Sequence, residues 1–146
     1  MRALIQRVSR AEVRVAGEVS GRIGRGIAVL LGVGADDDEA RADFVADKCL
    51  DLRIFPEPAT GKPDRSVREE GGAVLVVSQF TLYGHTLKGR RPDFTAAARP
   101  DLARHLYERF VERIRQAGLQ VGTGVFGALM EVELVNDGPF TLLVER

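Results

Sequence analysis

Ala73-Val74-Leu75-Val76-Val77-Ser78-Gln79-Phe80-Thr81 is the stretch on which the reading of this chain turns. Five apolar residues run without a break, then give way to a hydroxyl, an amide, an aromatic ring and a second hydroxyl. An unbroken apolar run this short predicts a strand covered on both faces. Functional side chains often sit where such a strand becomes a loop. Working back, Ile27-Ala28-Val29-Leu30-Leu31-Gly32-Val33 has the same character and predicts a second buried strand. Ala11-Glu12-Val13-Arg14-Val15 alternates apolar with charged residues, the period of a half-buried strand. Gly17 ends that run, and Glu18-Val19-Ser20 returns as a hairpin arm.

Between and beyond these strands the pattern turns helical. Asp36-Asp37-Asp38-Glu39 places acid at a helix start, where it suits the macrodipole. Phe44, Val45, Cys49 and Leu52 follow at helical spacing and predict an amphipathic helix of about four turns. Pro56, Pro58, Gly61 and Pro63 mark a loop, and residues 84–92 form a basic one. Pro100 fits the first turn of a second helix, whose apolar positions are Leu102, Leu106, Phe110, Ile114 and Ala117. Gly118 stops it. After a glycine-rich stretch, Met130-Glu131-Val132-Glu133-Leu134-Val135 alternates as a strand. Asn136-Asp137-Gly138-Pro139 then turns the chain, and Phe140 to Val144 closes it as a strand. The order predicts one α+β domain over residues 1–146, with a mainly antiparallel sheet and two α-helices.

Composition narrows the function. The 146 residues carry 21 Lys plus Arg against 21 Asp plus Glu, a net charge of zero. That disfavours a strongly basic nucleic-acid clamp but not a local basic patch. One Cys excludes an internal disulfide and a multi-Cys zinc site, and suggests a reducing compartment. Two His, at 85 and 105, leave little material for a metal centre. No apolar segment approaches the length of a spanning helix or a signal peptide, so the expectation is a soluble, cytoplasmic protein.

Candidate chemistry is correspondingly sparse. Cys49 lies on the apolar stripe of the first helix and reads as core. His85 follows Ser78-Gln79-Phe80-Thr81 in a loop, so a hydroxyl nucleophile with a His base is one reading and capping of backbone groups is the other. Lys88-Gly89-Arg90-Arg91-Pro92 is the densest basic cluster, either a solubilising loop or a phosphate contact. Gly138-Pro139 is either an ordinary turn or a rigid pair of carbonyls able to receive an ammonium group.

Two segments taken together resemble a known family. Leu75-Val76-Val77-Ser78-Gln79-Phe80-Thr81-Leu82, with the Lys88-Gly89-Arg90-Arg91-Pro92 loop, resembles the first signature of the D-aminoacyl-tRNA deacylases. Gly124-Val125-Phe126-Gly127-Ala128-Leu129-Met130, running to Asn136-Asp137-Gly138-Pro139-Phe140-Thr141, resembles the second. Arg53-Ile54-Phe55, Gly61-Lys62, Ser66-Val67 and the opening Met1-Arg2-Ala3-Leu4-Ile5-Gln6-Arg7-Val8 match more weakly. Phe140 departs from the family, which more often has Val there.

The resemblance implies a β-barrel-like fold assembled as a homodimer. It implies hydrolysis of the ester of D-aminoacyl-tRNA, and of glycyl-tRNA mischarged on the alanine tRNA, without metal or cofactor. It also implies that the Gly138-Pro139 bond is cis and that this turn reaches the partner subunit's site as a chiral filter. Fixed carbonyls holding the substrate amine would make an L side chain clash with main chain, while a D side chain points away. Glycine has no side chain to reject. Ser78, Gln79, Phe80 and Thr81 are the catalytic candidates, and Lys88, Arg90 and Arg91 would meet tRNA phosphates. Backbone N–H groups near Phe80 and Thr81, with the ribose 2′-hydroxyl, are expected to do most of the chemistry. The alternatives are Thr81 as covalent nucleophile and a non-catalytic RNA-binding module. Phe80 either stacks on the terminal adenine or packs in the core. The second helix adds Arg104, Arg109, Arg113 and Arg115, either as further tRNA contacts or as a solvated face balanced by Asp101, Glu108 and Glu112.

Overall fold

A long first strand, β1 (Arg2–Val15), organises the molecule. The computed structural model describes residues 1–87 and 89–146. Alternation along β1 buries Ala3, Ile5, Ala11 and Val13. It pairs antiparallel with β2 (Glu18–Ile23) at its far end and with β3 (Gly26–Gly32) at its near end. β3 then runs parallel to β6 (Ala73–Ser78), and β6 parallel to β7 (Val121–Thr123). β8 (Met130–Glu145) covers β1 along its length. The sheet curls until β7 meets β2, where the Ser20 hydroxyl donates to the Thr123 carbonyl at 2.8 Å. A Cβ on Gly21 would stand 2.6 Å from the Thr123 backbone, so this near-closure requires glycine.

The continuous apolar runs of β3 and β6 are explained by two separate cores. Ile27, Val29, Leu31, Val74 and Val76 face the helices. Ala28, Leu75 and Val77 face the barrel interior with Val8, Ala11, Val13 and Ile23. Both faces of these strands are therefore buried, as their lack of alternation predicts.

Helix α1 (Glu39–Asp51) starts at Asp38, whose carboxylate caps the Arg41 N–H at 2.8 Å. Its buried stripe is Ala42, Val45, Ala46, Cys49 and Leu50. Phe44, expected on that stripe, is exposed, with the Arg146 guanidinium 4.8 Å over its ring. Adjacent helical residues lie about 100° apart, and Val45 takes the inward position. Asp37 does not belong to the helix start: it is buried and accepts from the Gly34 N–H at 2.6 Å.

The loop expected from Pro56 to Pro63 contains the short hairpin β4 (Phe55–Pro56) and β5 (Pro63–Arg65). It is followed by a further helix, α2 (Val67–Glu70), so three α-helices stand among the described residues where two were expected. One turn is too short to show periodicity. Its signal is the capping box Ser66-x-x-Glu69, fully formed in the structure. Helix α3 (Pro100–Gln116) buries Leu106, Phe110 and Ile114 as its spacing predicts, and Gly118 follows it at φ 79°.

The largest departure concerns residues 136–139. They do not turn the chain between two strands. Both halves of β8 continue along β1: Thr141 pairs with Gln6 and Asn136 with Val8. Residues 137–140 bulge out opposite Arg7 alone, and the Gly138-Pro139 peptide within the bulge is cis. No helix among the described residues is long and apolar enough to cross a membrane.

Candidate active site

The parallel β3–β6 pairing delivers Ser78 beside Leu31, at the edge of a cavity of about 530 Å3. Gln79 and Phe80 line it too, with Tyr107, Phe126 and Met130 among the other walls. Desolvation pushes the Tyr107 hydroxyl up to about 12, so it stays protonated and donates to the Val76 carbonyl at 3.0 Å. Phe80 is 57% exposed and meets Phe94 edge-on, ring centroids 5.1 Å apart. It is not a core residue.

A short 3-10 turn (Phe80–Tyr83) follows β6. The Gln79 N–H is taken by the Leu31 carbonyl at 2.8 Å, and the Leu82 N–H bonds the Gln79 carbonyl at 3.3 Å. Among the described residues, the N–H groups of Phe80 and Thr81 have no backbone acceptor. The Gln79 amide donates to Thr81 Oγ1. No base accepts from the Thr81 hydroxyl among the described residues. The His85 backbone exchanges bonds of 2.7 and 3.0 Å with Asp93 across the loop, and its ring makes no hydrogen bond to Thr81. Burial pushes the Cys49 thiol up to about 12, in keeping with a packing role.

Gly138 and Pro139 are exposed and do not line this cavity. Within one chain the structure thus sorts the expected site into two groups. The second group is organised by a residue that sequence reasoning missed. Arg7 is only 8% exposed and donates from Nη2 to the Gly138 carbonyl at 2.9 Å and from Nε to the Asp137 carbonyl at 3.0 Å. Nη1 donates to the Ile54 carbonyl. The guanidinium also stands 4.7 Å over the Phe140 ring and pairs with the Asp137 carboxylate at 3.1 Å. The aromatic ring at position 140 therefore has a partner of its own. A Cβ on Gly138 would meet nothing closer than Asn136 Oδ1 at 3.7 Å.

A family model described as D-Tyr-tRNA(Tyr) deacylase matches residues 4–145. The chain belongs to this family. A D-aminoacyl-tRNA deacylase of Symbiobacterium thermophilum is 61% identical over 145 residues, covering 99% of this chain and 95% of that protein. One of Koribacter versatilis is 59% identical, covering 99% and 97%. A solved structure titled c-Myc DNA Unwinding Element Binding Protein has a TM-score of 0.93 at 40% identity, covering 100% of this chain and 99% of that one.

Arg7 was legible in this deacylase-family sequence after all. Alternation through Ala3 and Ile5 puts position 7 on the core face, and an Arg there demands buried acceptors. The arginines of α3 are a different matter. Arg109 grips Asp43 with bonds of 2.8 and 2.7 Å, and Arg113 grips Asp47 at 2.9 Å through both nitrogens. His105 and Arg109 share Glu39. The counter-charges of Arg109 and Arg113 come from α1, whereas Arg115 meets Glu112 at 4.0 Å as local spacing suggested. In the basic loop, Arg90 and Arg91 are exposed and have no carboxylate partner among the described residues, while Lys88 lies outside them.

Proposed function

We propose that this chain hydrolyses the ester of D-aminoacyl-tRNA, releasing the D-amino acid and free tRNA. The observation that carries the reading is 61% identity, along nearly its whole length, to a protein of that name. The cavity suits the substrate's end: an apolar, aromatic-lined space takes the terminal adenosine, and exposed Phe80 offers it a stacking surface. The N–H groups of Phe80 and Thr81 stabilise the developing oxyanion at the cavity edge. The ribose 2′-hydroxyl assists the attacking water. Thr81 positions rather than attacks, a reading supported by the absence of a base beside it and by the Gln79 amide on its oxygen. Arg90, Arg91 and Lys88 meet phosphates of the tRNA.

Gly138 and Pro139 act as the chiral filter, and they do so in the cavity of a second copy. Their exposure, and their absence from their own chain's cavity, support this. So do the exposed Val132, Val135 and Leu143 along β8, which a homodimer would cover. One Gly138 lone pair is held by Arg7, leaving the other for the substrate amine. Glycyl-tRNA mischarged on the alanine tRNA passes the same filter, since it offers nothing to exclude. The working place of such an enzyme is the cytoplasm, where aminoacyl-tRNA is found.

The test is ester loss from D- and L-aminoacyl-tRNA, with and without chelator. Rapid loss of the D-ester alone, unaffected by chelator, is expected. Equal cleavage of both enantiomers would remove the role given to Gly138 and Pro139. Tight tRNA binding with both esters intact would favour the alternative of a non-catalytic RNA-binding module that uses the basic loop.

A further inference from the structure

We propose that Arg104, seated over the cavity-wall residue Phe126, binds a phosphate of the single-stranded RNA end whose terminal nucleoside enters that cavity. This rests on the deacylase reading above and adds a second phosphate contact, separate from the basic loop. Of the four arginines on α3, three are engaged by carboxylates: Arg109, Arg113 and Arg115, the last with Glu112 at 4.0 Å. Arg104 is not. Asp101 and Glu108 lie about one turn away on either side of it, yet no carboxylate comes within ion-pair distance among the described residues.

Its guanidinium instead stands 4.7 Å over the Phe126 ring. Phe126 is a cavity wall and leans on the buried Tyr107, centroids 5.8 Å apart. The cation is therefore held over a ring that is itself packed. Stacking uses the face of a guanidinium and leaves its N–H edges free, and those edges match a phosphate as a fork. Arg99 strengthens the position. It is exposed, lacks a carboxylate partner among the described residues, and lies between Ala98 and Pro100, both of which line the cavity. An apolar chamber with a cation over its Phe126 wall, unpaired by any carboxylate among the described residues, fits a nucleoside followed by a phosphodiester. The α1 side of the same helix, where every Arg is paired, does not.

The experiment uses the full chain and the variants Arg104→Gln, Arg104→Lys and Arg113→Gln. Two quantities are read. One is the ratio of kcat/KM for a D-aminoacyl-tRNA over the matching D-aminoacyl-adenosine, which carries no phosphate. The other is the salt dependence of binding to uncharged tRNA. For Arg104→Gln the ratio is expected to fall about two- to fivefold near 0.1 M salt, the scale of one exposed ion pair. The slope of log K against log salt should lessen by about 0.7, one single-strand phosphate. Arg104→Lys should keep most of the slope, and Arg113→Gln should keep both quantities. An unchanged ratio with an unchanged slope overturns the proposal. So does an equal loss on both esters, which would mean that Arg104 only shapes the cavity. If the wild-type chain cleaves neither ester, the deacylase reading falls, and the salt slope alone then decides for or against Arg104.

Discussion

The Arg7 guanidinium holds the Gly138 carbonyl at 2.9 Å, across 131 residues of chain. Removing that clamp should cost both stability and activity. Arg7→Ala strands the carbonyls of Ile54, Asp137 and Gly138 without their donor, a loss of about 3 kcal/mol. Urea denaturation should show the midpoint move accordingly. Deacylation should fall further than the folded fraction does, because the bulge loses its orientation. Arg7→Lys should recover part of the stability and little of the activity, since the three donors of an ammonium sit on one nitrogen and cannot span the carbonyls that Nε, Nη1 and Nη2 reach separately. A midpoint unchanged in Arg7→Ala would show the clamp to be incidental.

Gly138→Ala separates fold from function. The nearest atom to an added Cβ is 3.7 Å away, an ordinary contact. Stability should stay within about 0.5 kcal/mol of wild type. If the filter works inside a second copy's cavity, a methyl there displaces the substrate amine, and kcat/KM for the D-ester should drop about a hundredfold. Full activity in this variant would argue that nothing closes on position 138.

Thr81→Ala should keep deacylation within about tenfold of wild type, because no base accepts from the hydroxyl among the described residues. Loss on the order of ten-thousandfold in the variant, with an acyl intermediate trapped on Thr81 of the wild-type protein, would make Thr81 the nucleophile instead.

Phe80→Ala should barely unfold the protein, by under about 1 kcal/mol, since the ring is more than half exposed and touches Phe94 only edge-on. Its effect should appear in KM, raised about 5- to 100-fold if the ring stacks on adenine. A large stability loss with KM intact would return it to a packing role.

The helix interface predicts acid sensitivity. Hydrogen bonds from Arg109 hold the Asp43 carboxyl below its ordinary value of 3.8, and the Arg109 and Arg113 charges add to this. A carboxyl depressed in the folded state stabilises it above the unfolded value, and that contribution is lost as the pH falls through the folded one. Asp43→Asn should therefore be less stable than wild type at neutral pH. The gap should close below about pH 4, as the wild-type carboxyl becomes protonated. A constant difference across the acid range would mean that the side chain acts by shape alone.

Much of the architecture was legible because it is local. Apolar runs marked β3 and β6, threefold and fourfold spacing marked α1 and α3, and Pro100 and Gly118 marked the ends of the second long helix. What failed did so for physical reasons. The four residues of α2 are too few to show a period. Phe44 shares its turn with Val45, and only packing decides which faces in. Asn136-Asp137-Gly138-Pro139 has turn composition, and nothing local says that both flanks will pair with the same strand.

By itself the sequence determined the alternation of strands and helices, the chemical types at the end of β6, and the signatures that place the chain in its family. Tertiary structure alone decided that Arg7 faces Gly138, that Phe80 is exposed against Phe94, and that Arg104 meets no carboxylate among the described residues while Arg109 and Arg113 do. The reason is one of range. Backbone period and capping are set within a few residues, whereas a buried cation or a free one is defined by which distant carbonyls and carboxylates the strand register and helix packing bring to it.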